Sequence, residues 1–133
     1  MGCDIHAYLE REIDGEWVLL GPCSALESRD YDFFSRIADV RTRDSNEIGY
    51  DPIEALGLPH SVSKGVQWHA DRGGKEEHSH SYMGPCEMLA HKKAADPEYV
   101  VGLWELGITE SEEEERSEIM IDAIYRVVFW FDN

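Results

Sequence analysis

Cys3-Asp4-Ile5-His6-Ala7-Tyr8-Leu9-Glu10-Arg11-Glu12-Ile13 runs through Asp14-Gly15 into Glu16-Trp17-Val18-Leu19-Leu20, and this stretch decides the fold. Asp-Gly is a strong signal for a two-residue hairpin turn, because a type I′ turn needs positive φ at both central positions. A β-hairpin over residues 3 to 22 follows. Pairing across its turn sets Glu12 beside Trp17 and Glu10 beside Leu19. Side chains alternate along a strand, so Ile5, Ala7 and Leu9 share one face while Asp4, His6, Tyr8 and Glu10 share the other. Ile13, Val18 and Leu20 join the Ile5 face, which reads as core.

The far end of the chain supplies a partner for the hairpin. Arg126-Val-Val-Phe-Trp-Phe-Asp132 is apolar on both faces and reads as an interior strand. Its Asp132 ends at the rim where Asp4 stands. Between these strands the spacing predicts helices. Asp30 opens one that runs to about Val40, with Phe33, Phe34, Ile37 and Ala38 at helical intervals. Asp51-Pro52 predicts a short helical turn ended by Gly57. Gly84 or Ser81 caps a helix with Pro85 in its first turn, and Asp96-Pro97 leads another through Val100, Val101, Leu103 and Trp104 to Gly107. Thr109-x-x-Glu112 is a capping box for a last helix that buries Ile119, Met120, Ala123 and Ile124. From Leu58 to Tyr82 no period holds, and an irregular, functional segment is expected there. The fold class is α+β: a small, mostly antiparallel sheet of N-terminal hairpin plus C-terminal strand, covered by three or four helices, in one domain over residues 1–133.

The chain carries 28 acidic against 12 basic residues, a formal net charge of −16. Such a field repels phosphate backbones and argues against nonspecific nucleic-acid binding. Cys3, Cys23 and Cys86 are odd in number, far apart and without a C-x-x-C pair, which suits a reducing cytoplasm rather than a disulfide framework. No apolar run approaches the roughly 20 residues that span a bilayer.

The chemistry-bearing pattern is a pair of i, i+2 spacings. Asp4-x-His6 lies on the polar face of the first strand, and His78-Ser79-His80 repeats the spacing with two imidazoles. Imidazole and carboxylate are the usual ligands of zinc, manganese and iron. If the fold brings the two stretches together, Asp4, His6, His78 and His80 make a full ligand set for a divalent metal. His69, Asp71, Glu76, Asp132 and Cys3 are further donors. An open position on such an ion acidifies water near neutral pH, which is hydrolytic chemistry. Asp4, His6 and Asp71 are then the candidate catalytic groups. Arg36, Arg41 and Arg43 form the one local basic cluster and are the candidate grip on a small anionic ligand. The competing reading makes these histidines structural and the arginines a solvated helix face. Phosphate-loop, dinucleotide and nucleophile-elbow motifs do not occur.

The opening Met-Gly-Cys-Asp-Ile-His, the run from Arg29-Asp30-Tyr31 to Val40-Arg41, Gly57-Leu58-Pro59, His78-Ser79-His80-Ser81 and the terminal Val-Phe-Trp-Phe-Asp-Asn resemble a group of small phage- and prophage-encoded proteins. Gly84 and Pro85 depart from the Thr-Leu of that group at the helix start. The resemblance implies a viral origin, hence the host cytoplasm, and no mechanism. Two functions are expected. One is a metal-dependent hydrolase of a small phosphoester or nucleotide. The other is a non-catalytic antagonist of host defence. That antagonist would bind a host protein through the Glu-rich segment 110–118, or sequester a nucleotide signal at the arginines.

Overall fold

The computed structural model describes residues 2–45 and 49–133. Four strands form one antiparallel sheet: β1 (Asp4–Ile13), β2 (Glu16–Pro22), β3 (Glu77–Met83) and β4 (Tyr125–Asp132), in the order β2-β1-β4-β3. Six α-helices accompany it among the described residues: α1 (Tyr31–Ala38), α2 (Lys64–Asp71), α3 (Pro85–Ala95), α4 (Leu103–Leu106), α5 (Glu110–Glu115) and α6 (Glu118–Ile124). The fold is α+β, as the sequence predicts, with a fourth strand and shorter, more numerous helices. None of these helices is long and apolar enough to cross a membrane.

The hairpin forms at Asp14-Gly15, where both residues take positive φ, and it sets Glu12 opposite Trp17 and Glu10 opposite Leu19. β4 pairs with β1 only from Asp4 to Arg11, so the hairpin tip projects beyond the sheet. This corrects the reading of Ile13 and Val18 as core. They keep the parity of Ile5 but are exposed, because the sheet and its cover end before them. Leu20 has no partner, since Leu9 pairs with Gly21 and Glu10 with Leu19, and this bulge leaves Leu20 exposed too.

The sheet is covered on both sides, and unequally. On one face Ile5, Ala7, Leu9, Val127, Phe129 and Phe131 pack with Phe33, Phe34 and Ile37 of α1, Met88 of α3 and Ile121 of α6. On the other, Val128 and Trp130 meet Val66 of α2, the lone fully buried residue of that helix. α2 comes close to β2 at Gly65, where a Cβ would stand 2.8 Å from the Leu19 side chain. Its start is pinned by charge. Glu10, fully buried, accepts from the Ser63 backbone N–H at 2.7 Å and pairs with Arg126 Nε at 2.5 Å. The Arg126 guanidinium lies 3.9 Å from the Trp17 ring centroid. On the opposite layer, Lys92 of α3, 2% exposed, reaches Asp30 at 2.8 Å. Asp30 also caps α1 by accepting from Phe33 N–H.

Four local expectations need correction. Residues 51–57 form no helical turn: the segment takes no regular secondary structure, and Gly57 N–H bonds to the His80 carbonyl. The span from Leu58 to Tyr82 is ordered as α2 and β3. The helix expected from Asp96 begins only at Leu103, leaving Val100 at 91% exposure. The Glu-rich helix breaks at Arg116, and Ser117 caps a separate α6. α6 buries Ile121 instead of Ile119, Met120 and Ala123, which are exposed.

Candidate metal centre

Register builds the site. β4 lies between β1 and β3, and its last residue, Asp132, is the pairing partner of both Asp4 and Glu77. Alternation places Asp132, Glu77 and His6 on the face that carries Trp130. There one donor atom from each of His6, Glu77 and Asp132 lies within 4.8 Å of the other two. His6 Nε2 stands 3.5 Å from Asp132 Oδ2, too long for a good hydrogen bond. His6 Nε2 and Glu77 Oε1 are both shielded from solvent and make no hydrogen bond. Leaving a buried polar atom unmatched costs about 1–3 kcal/mol, so a pair of them facing one carboxylate needs a reason.

A divalent cation between them would supply that reason. One imidazole nitrogen and two carboxylate oxygens suit zinc, manganese or iron. Bonds of about 2.1 Å place tetrahedral donors roughly 3.4 Å apart, so His6 Nε2 and Asp132 Oδ2 already stand near that spacing and Glu77 has at most about 1.4 Å to close around an ion. Side-chain rotation supplies such a shift. Gly73, just after α2, makes room for Glu77: a Cβ there would overlap the Glu77 carboxylate.

An aromatic shelf adjoins the three donors. The Trp130 ring centroid lies 5.2 Å from that of His80, 5.3 Å from Tyr8 and 6.1 Å from His6. Tyr8 stacks in turn on His69 of α2 at 4.6 Å. Burial pushes the His80 pKa below its ordinary value, Glu77 opposes the shift, and His78 adds to it. His80 is therefore neutral at pH 7.

Of the four ligands expected from sequence, His6 alone belongs to the cluster. Asp4 shares its face, but Arg29 grips it through Nε at 2.7 Å and Nη2 at 3.2 Å. That hydrogen bonding holds the Asp4 carboxyl below its usual range. His78 and His80 do not share a face. Ser79 has φ +57° and is an extra residue, for His78 pairs with Phe131 whereas Ser81 pairs with Phe129. The bulge turns His78 to the helical side, where it stacks on Phe131 and bonds to Ser79 Oγ and Asn133 Oδ1. It leaves His80 against Trp130. Asp71 is exposed at the end of α2 and accepts from Gln67, away from any catalytic role with His6. The arginines do not converge on the site either. Arg36 lies over Tyr50, Arg41 lies over Tyr31 and pairs with Asp44, and Arg43 is exposed on the turn Thr42–Asp44.

Glu77 is the residue that sequence reasoning passed over, and Asp132 was only a further donor. The signal lay in topology: once β3 is an antiparallel neighbour of β4, its first residue must meet Asp132. The three thiols are unsuited to nucleophilic roles. Burial pushes Cys3 upward and raises Cys23 and Cys86 to about 12. Comparison of the chain with protein-family models, curated proteins and solved structures returned no match.

Proposed function

We propose that the protein binds one divalent cation, zinc, manganese or iron, at His6, Glu77 and Asp132, and uses it to hydrolyse a small phosphoester in the cytoplasm. The observation that carries this reading is the pair of shielded, unbonded atoms, His6 Nε2 and Glu77 Oε1, turned toward Asp132. When bound at a site with an open position, such an ion polarises a phosphoryl oxygen and lowers the pKa of water. Two carboxylates and one neutral imidazole leave a doubly charged ion without net positive charge, which favours retention of the ion over capture of long polyanions. The net charge of −16 points the same way, toward a small substrate. His6 and Asp132 sit on paired strands, which holds two of the three donors on rigid backbone. Glu77 stands at the start of β3 and takes up the remaining adjustment. Three free cysteines are compatible with a reducing compartment.

Tag-free protein purified without chelator tests the reading. About one zinc, manganese or iron per chain is expected by elemental analysis, with loss in His6→Ala and in Asp132→Asn. His78→Ala, on the other side of the sheet, keeps the metal. The loaded protein is expected to cleave bis-p-nitrophenyl phosphate, and Asp132→Asn is expected to lose that turnover. Equal metal content in wild type and both cluster variants would overturn the site. Metal binding without turnover would leave a cation-binding protein and remove the hydrolase.

A further inference from the structure

The side of the molecule formed by α3 to α6 carries a second feature, unconnected to the metal centre. Large apolar side chains lie open there: Val100 is 91% exposed, Trp104 65% and Ile119 82%. A ridge of α4 and α5 separates two depressions. One is an open groove of about 950 Å³ lined by apolar Leu89, Val101, Leu103 and Ile121 and by Glu105, Glu113 and Glu118 together with Lys93 and Arg116. The other, of about 580 Å³, is lined by Trp104, Thr109, Glu110, Ser111 and Glu114. In that smaller notch two carboxylates one helical turn apart stand beside an exposed indole.

An indole face with carboxylates around it is the arrangement that holds an ammonium or guanidinium group, by cation–π attraction and charge-assisted hydrogen bonds together. The groove across the ridge is apolar at its floor, and its edge carries three carboxylates, Glu105, Glu113 and Glu118, against Lys93 and Arg116. Residues 105–118 hold seven carboxylates against the single Arg116. Arg116 is itself committed to Glu112 at 2.5 Å, and Glu112 also receives Arg11 at 3.3 Å. The acid left over at Glu105, Glu110, Glu113 and Glu114 is therefore not neutralised by these two arginines. Exposed apolar side chains beside a rim of net negative charge mark an interaction site, and the net sign of the rim sets the sign of the partner. A second copy of this chain, carrying −16, is the wrong sign. The same charge argues against nonspecific nucleic-acid binding.

We propose that the α4–α5 ridge docks a basic, amphipathic peptide segment of a protein partner. A lysine or arginine side chain occupies the Trp104–Glu110–Glu114 notch, and an apolar side chain enters the adjoining groove. The proposal goes beyond the metal reading and uses none of its residues, so either can fail without the other.

The test uses the full chain and a fluorescein-labelled peptide, a four-fold repeat of Lys-Leu-Arg, read by fluorescence anisotropy. Binding is expected to weaken about tenfold or more in Trp104→Ala and in Glu110→Gln/Glu114→Gln, as for an interface anchor. The double variant Glu12→Gln/Glu16→Gln removes the same charge at the exposed hairpin tip and is expected to change affinity less than about twofold. A repeat of Lys-Ser-Arg, which keeps the charge and deletes the apolar residue, should bind about tenfold more weakly. Four results would overturn the proposal. They are no binding, equal loss in the hairpin-tip variant, equal affinity for the two peptides, and a sedimenting dimer of the wild type that Trp104→Ala dissociates.

Discussion

Replacing Gly73 with alanine separates the cation site from the stability of the fold. A Cβ at this position would overlap the near oxygen of Glu77, and even the far oxygen, Oε2, would stand only 2.8 Å away. Ordinary carbon–oxygen contact needs roughly 3.4 Å or more, so the carboxylate must retreat by on the order of 1.5 Å. The backbone does not resist the substitution, since Gly73 is absent from the positive-φ glycines. What must move is the end of a flexible side chain, so the apo protein should melt within a few degrees of wild type. Metal ligation tolerates far less, with bond lengths held to about 0.2 Å. Disturbing a group that merely orients a ligand already costs about 10–100-fold in metal affinity. Gly73→Ala displaces a proposed ligand itself, so the expected loss is about 100-fold or more in the dissociation constant. Competition titration of zinc and manganese against a chromogenic chelator measures it, and differential scanning calorimetry of the apo proteins measures the control. An unchanged dissociation constant would refute Glu77 as a ligand. A large fall in melting temperature would refute the claim that the carboxylate is free to move.

Other outcomes follow from the same geometry. Glu10→Gln leaves the buried Arg126 charge without its counter-ion and should cost about 3 kcal/mol in urea unfolding; Glu10→Met/Arg126→Met should cost much less, and equal costs would show that the pair is not the pin of α2. His80 has a folded pKa below that of the unfolded chain, so the folded state binds fewer protons between the two values. Its contribution is complete above about pH 6.5 and is lost as pH falls through the folded value. The urea midpoint should therefore drop from pH 7.5 to pH 5.5 in wild type and drop less in His80→Gln. Cys23 and Cys86, with thiol pKa values raised to about 12, should resist iodoacetamide at pH 8 in the native state and react once urea unfolds the chain. Rapid native labelling of either would contradict the burial described.

Local signals carried most of the fold. Asp14-Gly15, the Asp30 cap, Pro85 in the first turn of α3 and the Thr109 cap all act within a few residues, and each formed where expected. The doubly apolar β4 also announced an interior strand. What escaped were elements whose cause is distant. α2 buries a single residue, Val66, and owes its place to Glu10 and Arg126, which lie 53 and 63 positions along the chain from its cap, Ser63. β3 hid because Ser79 interrupts the alternation by which strands are recognised. The same interruption undid the ligand set: equal spacing in Asp4-x-His6 and His78-x-His80 does not mean equal facing once one residue is extra. Ile119 and Met120 failed as core residues because Ser117 restarts the helix and rotates its buried side to Ile121.

The unequal cover of the sheet has a kinetic meaning. One face is sealed by α1, α3 and α6 over an extended cluster of buried residues, whereas the other is closed by α2 over Val66, Val128 and Trp130. Free energies of local opening scale with what each opening exposes. Amide protons of α2 should therefore exchange through a partial opening well below the global unfolding free energy, while those of β4 wait for the whole molecule. His6, Tyr8, Trp130 and His80 all lie on the side that opens first. Entry to that shelf needs only the release of one short helix, with the far half of the protein still folded.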